Sequence, residues 1–73
     1  MIMNNRLPAN TIGSSNTVAD FIRKNFQGSF ITVLLVSGDA FTAEVVDGTG
    51  DIVQFRSMGF NFYINAKYIE LFF

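Results

Sequence analysis

The sequence predicts a mainly β protein, in which a short N-terminal α-helix precedes a five-stranded, strongly bent antiparallel sheet that forms a partly open barrel. Three observations support this fold class. Apolar residues recur at helical spacing early in the chain and change to a strand-like pattern from Ser29 onwards. Turn-forming residues divide the second part at intervals of about 8–12 residues. β-Branched and aromatic residues, which favour strands, fill the segments between these turns.

The helix is predicted to begin at Thr17 and to stop at Gly28. Thr17 followed three residues later by Asp20 fits a capping box, and glycine is a common helix terminator. The apolar face carries Val18, Phe21, Ile22 and Phe26, and the opposite face carries Arg23 and Lys24. Residues 1–16 are rich in Asn and Ser and have no period, so we expect a flexible arm there and a single domain over residues 17–73.

The five strand segments read SFITVLLVS, AFTAEVV, IVQFR, FNFYI and YIELFF. Turns are expected at Gly38-Asp39, at DGTGD (Asp47 to Asp51), at Ser57-Met58-Gly59 and at Asn65-Ala66-Lys67. The DGTGD segment also suggests a calcium loop, but it lacks the further ligands and the terminal Glu of such a loop. Asp and Gly favour turns for backbone reasons, so a turn is the preferred interpretation.

Length and composition favour self-association. A chain of 73 residues forms a single small domain, and a core of this size is seldom sufficient by itself. The sequence has no Cys and no His, which excludes disulfides, thiolate metal sites and histidine general bases. Hydrophobic residues make up 49% of the chain and charged residues 15%, against about 25% charged in typical domains. We therefore expect an oligomer whose interface hides apolar surface, with no metal, no cofactor and no catalytic site.

No apolar run approaches the length that spans a bilayer, and the first residues lack the apolar core of a signal peptide. The expectation is therefore a cytoplasmic protein without a membrane partner.

The last fourteen residues, FNFYINAKYIELFF, supply the expected interface. If strands four and five form the sheet edges, they have little charge to prevent pairing with another chain. When one subunit has two complementary edges, subunits pair head-to-tail, and the chain of subunits closes into a ring if the rotation from one subunit to the next completes a full turn. The predicted interface residues are Phe60, Phe62, Tyr68, Glu70 and Phe72. In the alternative, Phe60, Phe62, Ile69 and Phe72 only fill the core of a monomer; period-two alternation also places Ile69 and Leu71 in that core.

The order of these elements resembles the Sm-like fold, and most closely the bacterial Hfq proteins. The resemblance covers Thr17 to Phe73 and rests on VLLVSGD and on YINAKYI, where Tyr63 and Ala66 match the outer positions of a Tyr-Lys-His-Ala signature. It implies a homo-oligomeric ring, a hexamer or heptamer in the family, in which strand four of one subunit pairs with strand five of the next. It also implies binding of single-stranded, U-rich or A-rich RNA.

Transferred by position, the resemblance implies RNA contacts at Tyr63, Asn65 and Lys67 near the pore and at Arg23 and Lys24 on the rim. Ile64-Asn65 replaces the basic middle of the signature, and Lys67 is the nearest cation. On the opposite face, Leu34 and Ala40 occupy the positions of the stacking aromatic and the lysine. Two interpretations stay open: an RNA-binding ring, and an Sm-fold scaffold that binds protein and has no role with RNA. A solvated surface is the alternative for the scattered cations.

Overall fold

A computed structural model describes residues 15–73, so most of the predicted arm, residues 1–14, lies outside the described part of the chain. The model confirms a mainly β fold in which one helix precedes five antiparallel strands in a single sheet that is not closed. The elements are α1 (Ser15–Phe26), β1 (Phe30–Leu35), β2 (Ala40–Thr49), β3 (Ile52–Ser57), β4 (Phe60–Asn65), a 3₁₀ turn (Ala66–Tyr68) and β5 (Ile69–Phe72).

Helix α1 begins two residues earlier than the sequence pattern indicates. Thr17 and Asp20 therefore lie inside the helix, and the predicted capping box between them is wrong. Asp20 instead forms an ion pair of 3.1 Å with Lys24, one turn further along. The helix ends as predicted: Gly28 has a φ of +85°, and the N–H of Ser29 donates to the carbonyl of Phe26 at 2.8 Å.

The strand order is β4-β3-β2-β1-β5, so β4 and β5 form the two edges of the sheet, as expected. Strands β1 to β4 pair with their neighbours in sequence, and β5 returns to pair with β1. Thr32 of β1 and Phe73 exchange both backbone hydrogen bonds, at 2.8 and 3.0 Å. The end of the described chain is thereby held beside the first strand.

Strand β2 continues through most of the predicted DGTGD turn, and the reversal occurs at Gly50-Asp51. A register shift between Val45 and Asp47 bends the strand before this point. Gly48 then adopts a φ of +126°, and a Cβ at this position would lie 2.2 Å from the carbonyl oxygen of Ile52. Only glycine permits this approach of the two backbones, so the second half of the motif turns the chain while the first half pairs with β3.

The core lies between α1 and one face of the sheet. Its buried residues are Ala19, Ile22, Ile31, Val33, Ala43, Val45, Val53, Phe55 and Ala66. The ring of Phe62 contacts those of Phe41 and Phe55 at centroid distances of 5.2 and 5.8 Å. Phe72 contacts Phe21 and Phe26 of the helix, both at 6.1 Å.

Phe62 and Phe72 thus pack their side chains against the core, as the monomer-core alternative expected of them. Phe60, also predicted at the interface, is exposed, as are Tyr68 and Glu70.

Strand β5 departs from period-two alternation because it contains a bulge. Leu35 pairs with Ile69 and Leu34 pairs with Leu71, so Glu70 is the extra residue between them. The bulge moves Leu71 to the outer side of the sheet, where it is 49% exposed, and Phe72 takes the inner position. The prediction that Leu71 fills the core is therefore wrong, whereas Ile69 packs against the core as expected.

Gly48→Ala is expected to lower the free energy of unfolding by about 3–4 kcal/mol, because the new Cβ clashes with the backbone of Ile52 at a positive φ. Gly50→Ala is the matched control: its φ is +59° and its Cβ meets open space, so only the left-handed conformation costs energy, about 1–2 kcal/mol. Urea denaturation of both variants measures the difference. Equal losses would contradict the close approach at Gly48.

Phe72→Ala should destabilise the fold by about 2–4 kcal/mol, because it removes a ring that packs against the helix and the core. Leu71→Ala, one residue away on the exposed side, should cost less than about 1 kcal/mol. Thermal unfolding followed by circular dichroism compares the two. A larger loss for Leu71→Ala would show that β5 keeps regular alternation without the bulge.

Candidate functional site

An open apolar cleft of about 390 Å³ lies where the end of β1 approaches the end of β4. Its lining residues are Leu35, Val36, Ser37, Ile52, Tyr63, Ile64, Asn65 and Tyr68. We call this feature the tyrosine cleft. A concave apolar surface with a few polar groups is the usual form of a ligand site.

The two tyrosines of the cleft come from opposite ends of the strand order. Tyr63 belongs to the edge strand β4, and Tyr68 ends the 3₁₀ turn that leads into the other edge strand, β5. The N–H of Val36 donates to the carbonyl of Tyr68 at 2.8 Å and holds that side of the cleft. Both tyrosine side chains are exposed, so their rings are accessible for stacking.

Asn65 and Lys67 form the polar end of this region. The side-chain carbonyl of Asn65 accepts a hydrogen bond of 3.0 Å from the N–H of Lys67 and so caps the 3₁₀ turn. With its oxygen engaged, Asn65 has its amide N–H groups available as donors on the cleft wall. The Lys67 ammonium lies 5.1 Å from the centroid of the Tyr68 ring, within the range of a cation–π contact.

Lys67 is the cation without an ion-pair partner among residues 15–73. The remaining cations of this part of the chain are engaged: Arg56 lies 3.3 Å from Glu44, and Lys24 pairs with Asp20. Positive charge that is free to attract an anion is therefore concentrated beside the tyrosine cleft.

Arg23 has a structural role that its sequence position does not reveal. Its guanidinium donates to the carbonyl oxygens of Gly50 and Ile52, at 3.1 and 2.7 Å, and its side chain is only 15% exposed. These bonds fasten helix α1 to the β2–β3 turn. Of the predicted RNA contacts, Arg23 and Lys24 therefore lie on the helix and outside the cleft lining, whereas Tyr63 and Asn65 line the cleft and Lys67 adjoins it.

Sequence reasoning missed part of this site. Tyr68, predicted at a subunit interface, also forms a wall of the cleft, a position that the sequence did not indicate. Leu35, Val36 and Ile52 were not singled out, because an apolar residue in a strand is normally assigned to the core. Their place in the cleft depends on how the sheet curls, which the local pattern does not encode.

Both edges of the sheet have unpaired backbone groups. The N–H of Ala66 donates to the carbonyl of Asp51, and β4 pairs with β3 without a register shift. Alternation along the ladder therefore points the N–H and C=O of Asn61 and Tyr63 away from β3. On β5, the mutual bonds of Thr32 and Phe73 likewise point the backbone groups of Phe72 outwards.

Over residues 15–73, no helix is both long and apolar enough to cross a membrane. The same residues contain no group of three or more acidic side chains placed to hold a metal ion. Comparisons of the chain with protein-family models, with curated proteins and with solved structures find no match.

Proposed function

We propose that this chain is the subunit of an Sm-like, Hfq-like homo-oligomeric ring that binds single-stranded RNA at the tyrosine cleft. The observation that carries the proposal is the combination of Tyr63, Asn65 and Tyr68 in one open cleft with the free cation Lys67 beside it. Single-strand binding sites combine aromatic platforms, on which bases stack, with cations that neutralise the backbone.

The curvature of the sheet supports an open Sm-like barrel. Residues of β4 and residues next to β5 line the same cleft, although these strands are the first and last in the strand order. A flat sheet would hold its two edge strands about four strand spacings apart, or roughly 19 Å. Both edges approach the cleft only if the sheet is strongly bent, and such a bend supports a partly open barrel.

The unpaired edges support assembly. The outward backbone groups of Asn61 and Tyr63 on β4, and those of Phe72 on β5, provide two different surfaces for pairing. Pairing of β4 with β5 of the next subunit is head-to-tail, and repeated rotation closes such a contact into a ring. Ring formation would also cover part of the exposed apolar surface of Phe60.

Assembly into a ring also compensates for the lack of net positive charge on a single subunit. The net charge of −1 gives one chain little attraction for RNA. A rotation axis repeats Lys67 and the tyrosine cleft in every subunit, so one RNA strand contacts several sites joined in one molecule. We expect binding to be weak per site, selective for single strands and sensitive to salt.

Asn61→Pro is expected to convert the oligomer into smaller soluble species, because proline removes an N–H that points to the open side of β4 and leaves the ladder with β3 intact. Light scattering at micromolar concentration measures the mass. Asn61→Ala is the matched control and should keep the oligomer, since it retains the N–H. A wild-type mass near the 8.1 kDa of one chain would refute the ring.

Lys67→Ala should weaken binding of oligo-U or oligo-A by about tenfold and should lower the salt dependence, because each cation lost removes one phosphate contact per site. Lys24→Ala makes the same change of charge on the helix, where the lysine pairs with Asp20, and should have little effect.

Filter binding at about 50 mM salt and at higher salt compares the two lysine variants with the wild type. A wild-type ring that binds neither homopolymer at the lower salt would exclude the RNA site and favour the protein-binding scaffold. Equal losses for both variants would place the RNA elsewhere than at the cleft.

A further inference from the structure

A second apolar surface lies on the side of the sheet opposite the core, and it shares no residue with the lining of the tyrosine cleft. Phe30, Thr32 and Leu34 alternate with the buried residues of β1 and therefore share its outer side. Strand pairing places Leu71 opposite Leu34 and Phe73 opposite Thr32. We call these five residues the outer face; Phe30 and Phe73 are 68% and 72% exposed.

The five residues of the outer face carry no ionisable side chain, and the hydroxyl of Thr32 has a hydrogen-bond partner. The hydroxyls of Thr32 and Thr42 hydrogen-bond to each other at 2.9 Å across the β1–β2 pair. Glu44, opposite Phe30 in the register, and Arg56 on the next strand form a 3.3 Å ion pair beside the face, and the exposed Glu70 directly precedes Leu71. A phosphate backbone would find no unpaired cation here among the described residues, so nucleic acid is a poor match for this surface.

The area of the outer face limits what can cover it. With about 200 Å² for each phenylalanine side chain, the exposed parts of Phe30, Leu71 and Phe73 amount to roughly 350 Å². A stable protein interface buries about 800 Å² on each partner. One subunit therefore offers too little for a partner that contacts it alone, whereas six copies in a ring would offer about 2,000 Å².

A partner that uses all copies at once must have the same rotational symmetry as the ring. We propose that this partner is a second ring of the same chain, stacked outer face to outer face. The inference rests on the proposed ring. It is supported by the apolar chemistry of the face, by the lack of a free cation there among the described residues, and by the total area that several copies offer.

Sedimentation velocity of the full chain at micromolar concentration tests the stack. The wild type should have twice the mass of a single closed ring. Phe30→Asp should halve that mass, because a stack of this variant would have to bury unpaired carboxylates between the rings. Met58→Asp is the matched control. Met58 is exposed at the β3–β4 hairpin tip, outside the outer face, and its positive φ suits Asp, so the double ring should persist. If circular dichroism shows that Phe30→Asp unfolds, Phe30→Ser replaces it.

The outcomes separate this inference from the proposed function. A wild type that sediments as a single closed ring overturns the stack and leaves the ring intact. A wild type that sediments as a monomer overturns both proposals. A double ring that persists in a folded Phe30 variant, or that is lost equally in Met58→Asp, also overturns the assignment of the outer face.

Discussion

The architecture depends on the return of β5 to the side of β1. Without this pairing the chain would be a simple four-stranded meander, with β1 at one edge and the final strand unplaced. The hydrogen bonds between Thr32 and Phe73 join residues far apart in sequence, so folding must close a long loop to form them. That closure covers β1 on both sides, leaves β4 and β5 as the unpaired edges, and brings Leu35 and Val36 to the same cleft as Tyr63 and Tyr68.

The distribution of charge follows from the small number of ionisable residues. Ion pairs across strands and along the helix engage Glu44 with Arg56 and Asp20 with Lys24. The guanidinium of Arg23 donates hydrogen bonds to backbone carbonyls. Exposed pairs of this kind contribute little to stability, so their main effect is to neutralise the outer surfaces. Lys67 differs because its neighbour is an aromatic ring and its own N–H is held by Asn65. Among residues 15–73, Lys67 is thus the cation free to attract an anion, whereas Asp39, Asp47, Asp51 and Glu70 form no salt bridge with a described residue.

Local sequence patterns predicted which helices and strands form better than they predicted where each one starts and ends or which way its side chains face. Hydrophobic period and turn residues were sufficient for one helix and five strands, because each signal lies within a few residues of the structure it specifies. The errors at Thr17, Asp47 and Leu71 have different origins. The helix extends past its apparent cap, a close backbone approach at Gly48 prolongs β2, and a bulge at Glu70 reverses the facing of β5. The last two depend on a partner strand. The tyrosine cleft depends further on sheet curvature, so of its lining residues only Tyr63 and Asn65 were predicted as binding residues.

Both open edges of the sheet come from one continuous stretch, because β4 and β5 are joined by nothing more than the turn Ala66–Tyr68. The two halves of any subunit contact would therefore be encoded within a few codons of each other. Exchange of this one segment between related chains would transfer partner choice as a unit, with donor and acceptor surfaces still matched. Such linkage favours the divergence of duplicated copies into separate self-assembling species that do not mix.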